Sequence, residues 1–172
     1  VHIRNFMNES ILMTASEFQQ TGGHNVVINN LSKEISDLGY SVTIGAFSFK
    51  EKPSEGIDHI KIKKNPLKKN EWQDKFNLIH NHETKLNYYS LYGKKPFIFH
   101  YHGVMGQIQK INLSISLKLC QRHISKIISV SDSALSDISK NTKEKIPTLG
   151  IYNGVNNNFF NVKEFKDFRK GE

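Results

Sequence analysis

Residues 21–47, TGGHNVVINNLSKEISDLGYSVTIGAF, carry the pattern from which the fold follows. The stretch opens on Gly22 and Gly23. Val27, Leu31, Ile35 and Leu38 then recur at spacings of four, four and three, which sets them on one face of a helix. Gly39 stands where a helix takes a left-handed C-terminal residue. Residues 41–47, with β-branched Val42, Thr43 and Ile44, read as a strand. Just before the glycines, residues 10–15 (SILMTA) form a short apolar run suited to a buried strand. Strand, glycine loop, helix and strand make one βαβ unit. Its loop lies at the carboxyl end of the first strand, against a helix N-terminus. Bare glycine amides and the positive end of the helix dipole attract phosphate there. A tight turn alone accounts for the two glycines equally well.

A dinucleotide site does not follow. The Gly-x-Gly-x-x-Gly fingerprint is absent, and the second strand ends in Gly45, Ala46, Phe47 and Ser48 rather than in an acid for ribose hydroxyls. No Gly-Lys-Ser/Thr appears, which removes a Walker loop.

Downstream the alternation continues. Residues 57–62 read as a strand, 69–75 as a short polar helix, 76–80 (FNLIH) as a buried strand and 81–92 as a helix. Pro96 opens FIFHYHG, a strand ending at Gly103. Residues 127–130 form a further strand. The next helix runs from 131 to about 141, with Ser131 as its cap and Asp132 in its first turn. Residues 148–152 form the last strand, which ends in Asn153 and Gly154. Residues 111–119 (INLSISLKL) alternate like a strand, yet Ile108, Ile111, Ile115 and Leu119 fall at helical spacing. A parallel sheet needs a crossover between the strands on either side, so this segment reads as helix. The whole predicts an α/β fold: a Rossmann-like parallel sheet with helices on both faces.

A chain of 172 residues suits one domain with a real core. The single cysteine, Cys120, excludes an intrachain disulfide and a cysteine zinc site, and its apolar neighbours mark it as a buried thiol. No apolar run approaches the ~20 residues of a membrane span. No signal peptide is visible, so the expected location is cytoplasmic. Residues 1–9 read as an N-terminal extension, partly vector-derived, because Met7 would serve as the native start. The net charge is +8, and Lys61, Lys63, Lys64, Lys68 and Lys69 cluster around Asn65 and Pro66. That cluster suits a solvated surface or peripheral contact with the inner membrane surface. No aromatic ladder or nucleic-acid motif accompanies it, which leaves nucleic acid out.

Two His-x-His pairs occur, His80 with His82 and His100 with His102. Positions two apart share a strand face. Both pairs lie near carboxyl strand ends, where ligands bind in open α/β folds. Several imidazoles could converge on zinc, but Glu83 is the only carboxylate nearby in sequence. A single functional histidine is the simpler reading, and His102, before Gly103, is best placed for it.

Taken together, five stretches resemble family-4 glycosyltransferases. Residues 21–44 are similar to that family's Gly-Gly loop, helix and second strand, with Gly39-Tyr40-Ser41-Val42 where Gly-His-x-Val is usual. FNLIHNHET (76–84) resembles its Asp-hydrophobic-hydrophobic-His-x-His strand, with Asn77 for aspartate. KKPFIFHYHG (94–103) is similar to its Lys-Pro-hydrophobic-Thr-x-His-Gly strand, and ISKIISVSDSALSDI (124–138) to its strand-Ser-helix. IYNGVNNNFF (151–160) resembles Pro-Asn-Gly-Val-Asp-x-x-x-Phe, with Tyr152 for proline and Asn156 for aspartate.

The resemblance implies two facing Rossmann-like domains, the GT-B fold, with the active site between them. Residues 10–155 would be the N-terminal, acceptor-side domain, and 156–172 a linker stub or tail. It implies transfer of a sugar from a nucleotide-sugar with retention, without metal or other cofactor. The acceptor would be a lipid, a glycan or a small molecule. Gly22 and Gly23 would bind the donor diphosphate and His102 would be catalytic. His82, Ser131, Asn153 and Gly154 would line the cleft. Alone, lacking the C-terminal domain, the chain would be inactive. Two alternatives stand beside this reading: a metal-dependent hydrolase built on the His-x-His pairs, and a non-catalytic Rossmann-like binding module.

Overall fold

A computed structural model of the chain describes residues 9–66, 68–103, 106–142 and 146–154. The expectations for residues 1–8 and 156–172 lie outside them. Among the described residues seven strands form one sheet: β1 (Ser10–Phe18), β2 (Ser41–Phe49), β3 (Asp58–Lys61), β4 (Leu78–Asn81), β5 (Phe97–Tyr101), β6 (Lys126–Ser129) and β7 (Thr148–Gly150). Their order is β3-β2-β1-β4-β5-β6-β7, and every pairing is parallel. This is the α/β, Rossmann-like sheet that the alternation predicts. Every loop leaving a strand therefore emerges on the same edge.

Among the described residues three α-helices cover the sheet: α1 (Gly23–Asp37), α2 (Gln107–Cys120) and α3 (Asp132–Asn141). They lie on both of its faces. Ile28 of α1 packs with Met13, Ala15, Val42, Ile44 and Ala46 on one side. Leu113 and Leu117 of α2 and Ala134 and Ile138 of α3 pack with Leu12, Ile79, Phe99 and Ile127 on the other. The two sets alternate along β1, as the pleat of a strand buried on both faces requires. Asn77, which stands where the resembling strand has aspartate, accepts the Ser10 amide at 2.9 Å and ties the start of β4 to that of β1. Among the described residues no helix is long and apolar enough to cross a membrane.

Four local expectations need correction. The helix foreseen over 69–75 is a 3-10 turn, Glu71–Asp74, and it is not a surface turn: Trp72 and Gln73 are buried. The segment 81–92 is a 3-10 helix over Thr84–Tyr92, with Asn81 still in β4. In α1 the fully buried positions are Asn25, Ile28 and Ser32, while Leu31 and Ile35 pack at the margin and Leu38 is exposed. The face turns because the small Ser32 lets the helix approach the sheet, its hydroxyl donating to the Ile28 carbonyl at 2.7 Å. In α2 the helix itself is as expected, but Ile108, Ile111, Ile115 and Leu119 face outward, and Leu113, Ser116, Leu117 and Cys120 are the buried set.

Candidate active site

The middle of the sheet's carboxyl edge, where β1, β4 and β5 end side by side, gathers the chemically capable side chains. The chain leaves β1 and enters α1 through Gly22 and Gly23, whose φ angles of +91° and +33° a residue with a side chain rarely adopts. No side chain caps this helix. The Gly22 carbonyl accepts the amides of Asn25 and Val26 at 3.0 and 3.4 Å. The first turn of α1 thus opens toward the edge with its dipole's positive end.

At the end of β4, Asn81 is fully buried and builds the turn that follows. Its Oδ1 accepts from the Thr14 hydroxyl and the Glu83 amide, each at 3.0 Å. Its Nδ2 donates to the Glu83 carbonyl at 2.8 Å and to Asn87 Oδ1 at 2.7 Å. This frame presents Glu83, whose carboxylate accepts both the Ser16 amide, at 2.7 Å, and the Ser16 hydroxyl. Lys85 Nζ lies 3.5 Å from the same carboxylate. His24 Nε2 is 3.4 Å away, near but not aligned as a hydrogen bond. Burial alone would raise the Glu83 carboxyl. The contacts of His24 and Ser16 and the Lys85 charge outweigh it and hold the pKa at about 2.

Four imidazoles line one face of β4 and β5. The register pairs His80 with Ile98, so His82 falls beside His100. The rings of His100 and His102 stack with centroids 4.4 Å apart, and the His82–His102 centroid distance is 5.3 Å. His82 Nδ1 and His102 Nε2 are 3.0 Å apart and share one proton in a hydrogen bond. His24 reaches over from α1 to 5.8 Å from the His102 ring. Burial, reinforced by neighbouring imidazoles, depresses the pKa of His80 to about 4 and of His100 and His102 to about 3, and sets His82 well below the ordinary value. All four are neutral at pH 7.

A cavity of about 360 Å³ opens here, lined among others by His24, His82, Glu83, Tyr101, His102 and Gly103. Gly103, at φ +88°, turns the chain sharply after His102. Of the residues singled out from sequence, His82 and His102 line this cavity, whereas Gly22 and Gly23 do not and adjoin it through His24, which follows them. Ser131 and the pair Asn153 and Gly154 lie on the same edge but further out, after β6 and β7, and do not line the cavity. Ser131 caps α3, its Oγ accepting the Ala134 amide at 3.2 Å. Sequence reading passed over His24 and Asn81 and set Glu83 aside. The signal for His24 was its place directly after the glycine pair. Asn81 gave none, because an Asn between two His reads as loop.

No protein-family model and no curated protein matches the sequence. Solved structures do. HepE of Anabaena, crystallised with UDP and glucose, superposes with a TM-score of 0.69 at 17% identity, over 89% of this chain and 46% of its own. Sucrose-phosphate synthase from Thermosynechococcus elongatus gives 0.62 at 13% identity, over 87% of this chain and 49% of its own. A shorter chain of that synthase gives 0.60 at 12% identity, over 86% of this chain and 91% of its own. The chain therefore spans about half the length of the first two. At these identities the likeness shows the fold alone: a Rossmann-like domain that accounts for about half of each of the first two chains.

Proposed function

We propose that this chain is the N-terminal, acceptor-side domain of a retaining glycosyltransferase that uses a nucleotide-sugar. The observation that carries the reading is the meeting, in one cavity, of an uncapped helix N-terminus, a neutral histidine pair and a fixed carboxylate. A leaving nucleoside diphosphate gains negative charge as the sugar departs. Preorganised amides at Gly23 and His24 stabilise that charge without reorganising. With the shared proton on His82 Nδ1, His102 keeps its own proton on Nδ1 and can donate it to a sugar hydroxyl or phosphate oxygen as a neutral group. Ser131, Asn153 and Gly154 would contact the acceptor or the partner domain, further along the edge. HepE's complex with UDP and glucose supports a nucleotide-sugar as the ligand class.

The hydrolase alternative is less well supported: His80 and His100 do not line the cavity, and among the described residues no carboxylate joins the three imidazoles that approach one another.

The test is direct. The chain, labelled with ¹⁵N, is titrated with a panel of nucleotide-sugars, and release of nucleotide is followed in parallel. The amides of Gly23 and His24 are expected to shift with at least one donor, with no turnover near the ordinary rate of order 1 per second. One wall of the cleft alone leaves reactants unaligned and the amides facing water. No shift with any donor would sink the glycosyltransferase reading. Full turnover would show instead that the domain is a complete enzyme.

A further inference from the structure

The histidines beneath the cavity outnumber what sugar transfer uses. His80, His82 and His100 each offer a ring nitrogen, and the three nitrogens lie within 4.8 Å of one another. All three side chains are buried, at 6, 3 and 5% exposure. Their polar atoms are not satisfied among the described residues: His80 Nε2, His82 Nε2 and both nitrogens of His100 are buried there without a hydrogen-bond partner. Buried polar groups are normally paired, and a cluster of four orphans in one place requires an explanation. A single cation accepting several lone pairs at once supplies one.

We propose that His80, His82 and His100 form a tri-imidazole site for a divalent transition-metal ion of the zinc class, tying β4 to β5 below the cavity. The donor set fixes the class. Imidazole suits Zn²⁺, Cu²⁺, Ni²⁺ and Co²⁺, whereas Mg²⁺ and Ca²⁺ need oxygen ligands. Glu83, which follows His82 in sequence, is engaged with Ser16, and Cys120 belongs to the core on the opposite face of the sheet. Nitrogens bound at about 2.0–2.1 Å around a tetrahedral ion lie roughly 3.3 Å apart. Nitrogens now up to 4.8 Å apart therefore close by about 1.5 Å on loading, a movement within side-chain rotation.

One outer-shell contact is already in place, at His82. When His82 ligates through Nε2 its proton sits on Nδ1, which donates to His102 Nε2 at 3.0 Å. The ion would thereby orient His102 from behind while standing outside the reacting centre. This inference goes beyond the proposed function and does not depend on it, since the ion is read without any transfer assay.

The experiment uses the full 172-residue chain made without a histidine tag. Metal content is measured by elemental analysis, and the metal-free chain is titrated with Co²⁺ and then Zn²⁺. One ion per chain is expected, with the intense visible bands of Co²⁺ held by three imidazoles and one water, bleached by Zn²⁺, and a rise in melting temperature of roughly several degrees. His80→Gln and His100→Gln are expected to abolish the bands. His59→Gln and His123→Gln, at exposed positions, are expected to leave them intact. If the first pair fails to fold, X-ray absorption on the zinc-loaded native chain decides by counting imidazoles at about 2.0 Å, with three expected. Substoichiometric binding, bands that survive in folded His80→Gln and His100→Gln, or a count of one imidazole would each overturn the proposal.

Discussion

Asn81 makes four hydrogen bonds with two side-chain atoms, and all of them shape the turn that carries Glu83 into the cavity. Replacing it with leucine of similar volume leaves the Thr14 hydroxyl, the Asn87 amide oxygen and the Glu83 amide without that partner. Each buried group left unpaired costs about 1–3 kcal/mol. Asn81→Leu is therefore expected to destabilise the fold by at least about 2 kcal/mol in urea unfolding. A loss under about 0.5 kcal/mol, the range of neutral surface changes, would mean that the network does not hold the turn. Cys120 offers the opposite case, a reactive type made inert by its surroundings. Its thiol is wholly buried, and burial pushes its pKa up to about 11 against a smaller opposing effect of Ser90. The thiolate is the reacting species. An aromatic disulfide reagent at pH 8 should label Cys120 only in denaturant, and prompt labelling of the folded chain would show that this part of α2 opens readily.

α2 is the element in which the sequence misleads most instructively. Its nine residues INLSISLKL are apolar at every other position, so both a strand and two different helix faces could be drawn through them. The structure buries Leu113 and Leu117 and turns Ile111 and Ile115 to solvent. Leu117→Ala is expected to cost about 2–5 kcal/mol, the usual range for a buried leucine. Ile111→Lys and Ile115→Glu should each change stability by no more than about 0.5 kcal/mol. Denaturant melts of the three variants compare them directly, and a large loss at Ile111 or Ile115 would mean that the outward face is packed after all. β-Strands were easier to read. Residues 10–15, 41–47, 76–80 and 97–101 are short apolar runs set off by glycine, proline or polar residues, and each contains or overlaps an observed strand. The 3-10 segments were not legible, because their burial depends on distant partners such as the Tyr89 carbonyl that receives Gln73 Nε2 at 2.5 Å.

For the molecule as a whole, the parallel sheet followed from the alternation of strand and helix, and its carboxyl edge followed from the sheet. That is why the ends of β1, β4 and β5, with His82 and His102, could be expected side by side from sequence. Which of the outer strand ends reach the cavity depends on strand order, and the order places β6 and β7 beyond it. The lysines around Asn65 are all exposed, and Lys69 is paired with Asp74. Near anionic lipid, each free lysine would contribute up to about 1 kcal/mol. Co-sedimentation with vesicles containing phosphatidylserine, but not with neutral ones, is the expected outcome. Equal binding to both, or none, would leave the charge as ordinary solvated surface. The strand order has one more consequence, which concerns how the chain is made. β1 sits between β2 and β4, and its partner residues on β4 come 67 positions later, as Thr14 and Asn81 do. At a synthesis rate of about 5–20 residues per second, roughly 3–13 s separate the two strands as they leave the ribosome. Throughout that interval one edge of β1, with six consecutive core residues behind it, has nothing to pair with. A nascent chain stalled in that window would be the form most in need of a chaperone.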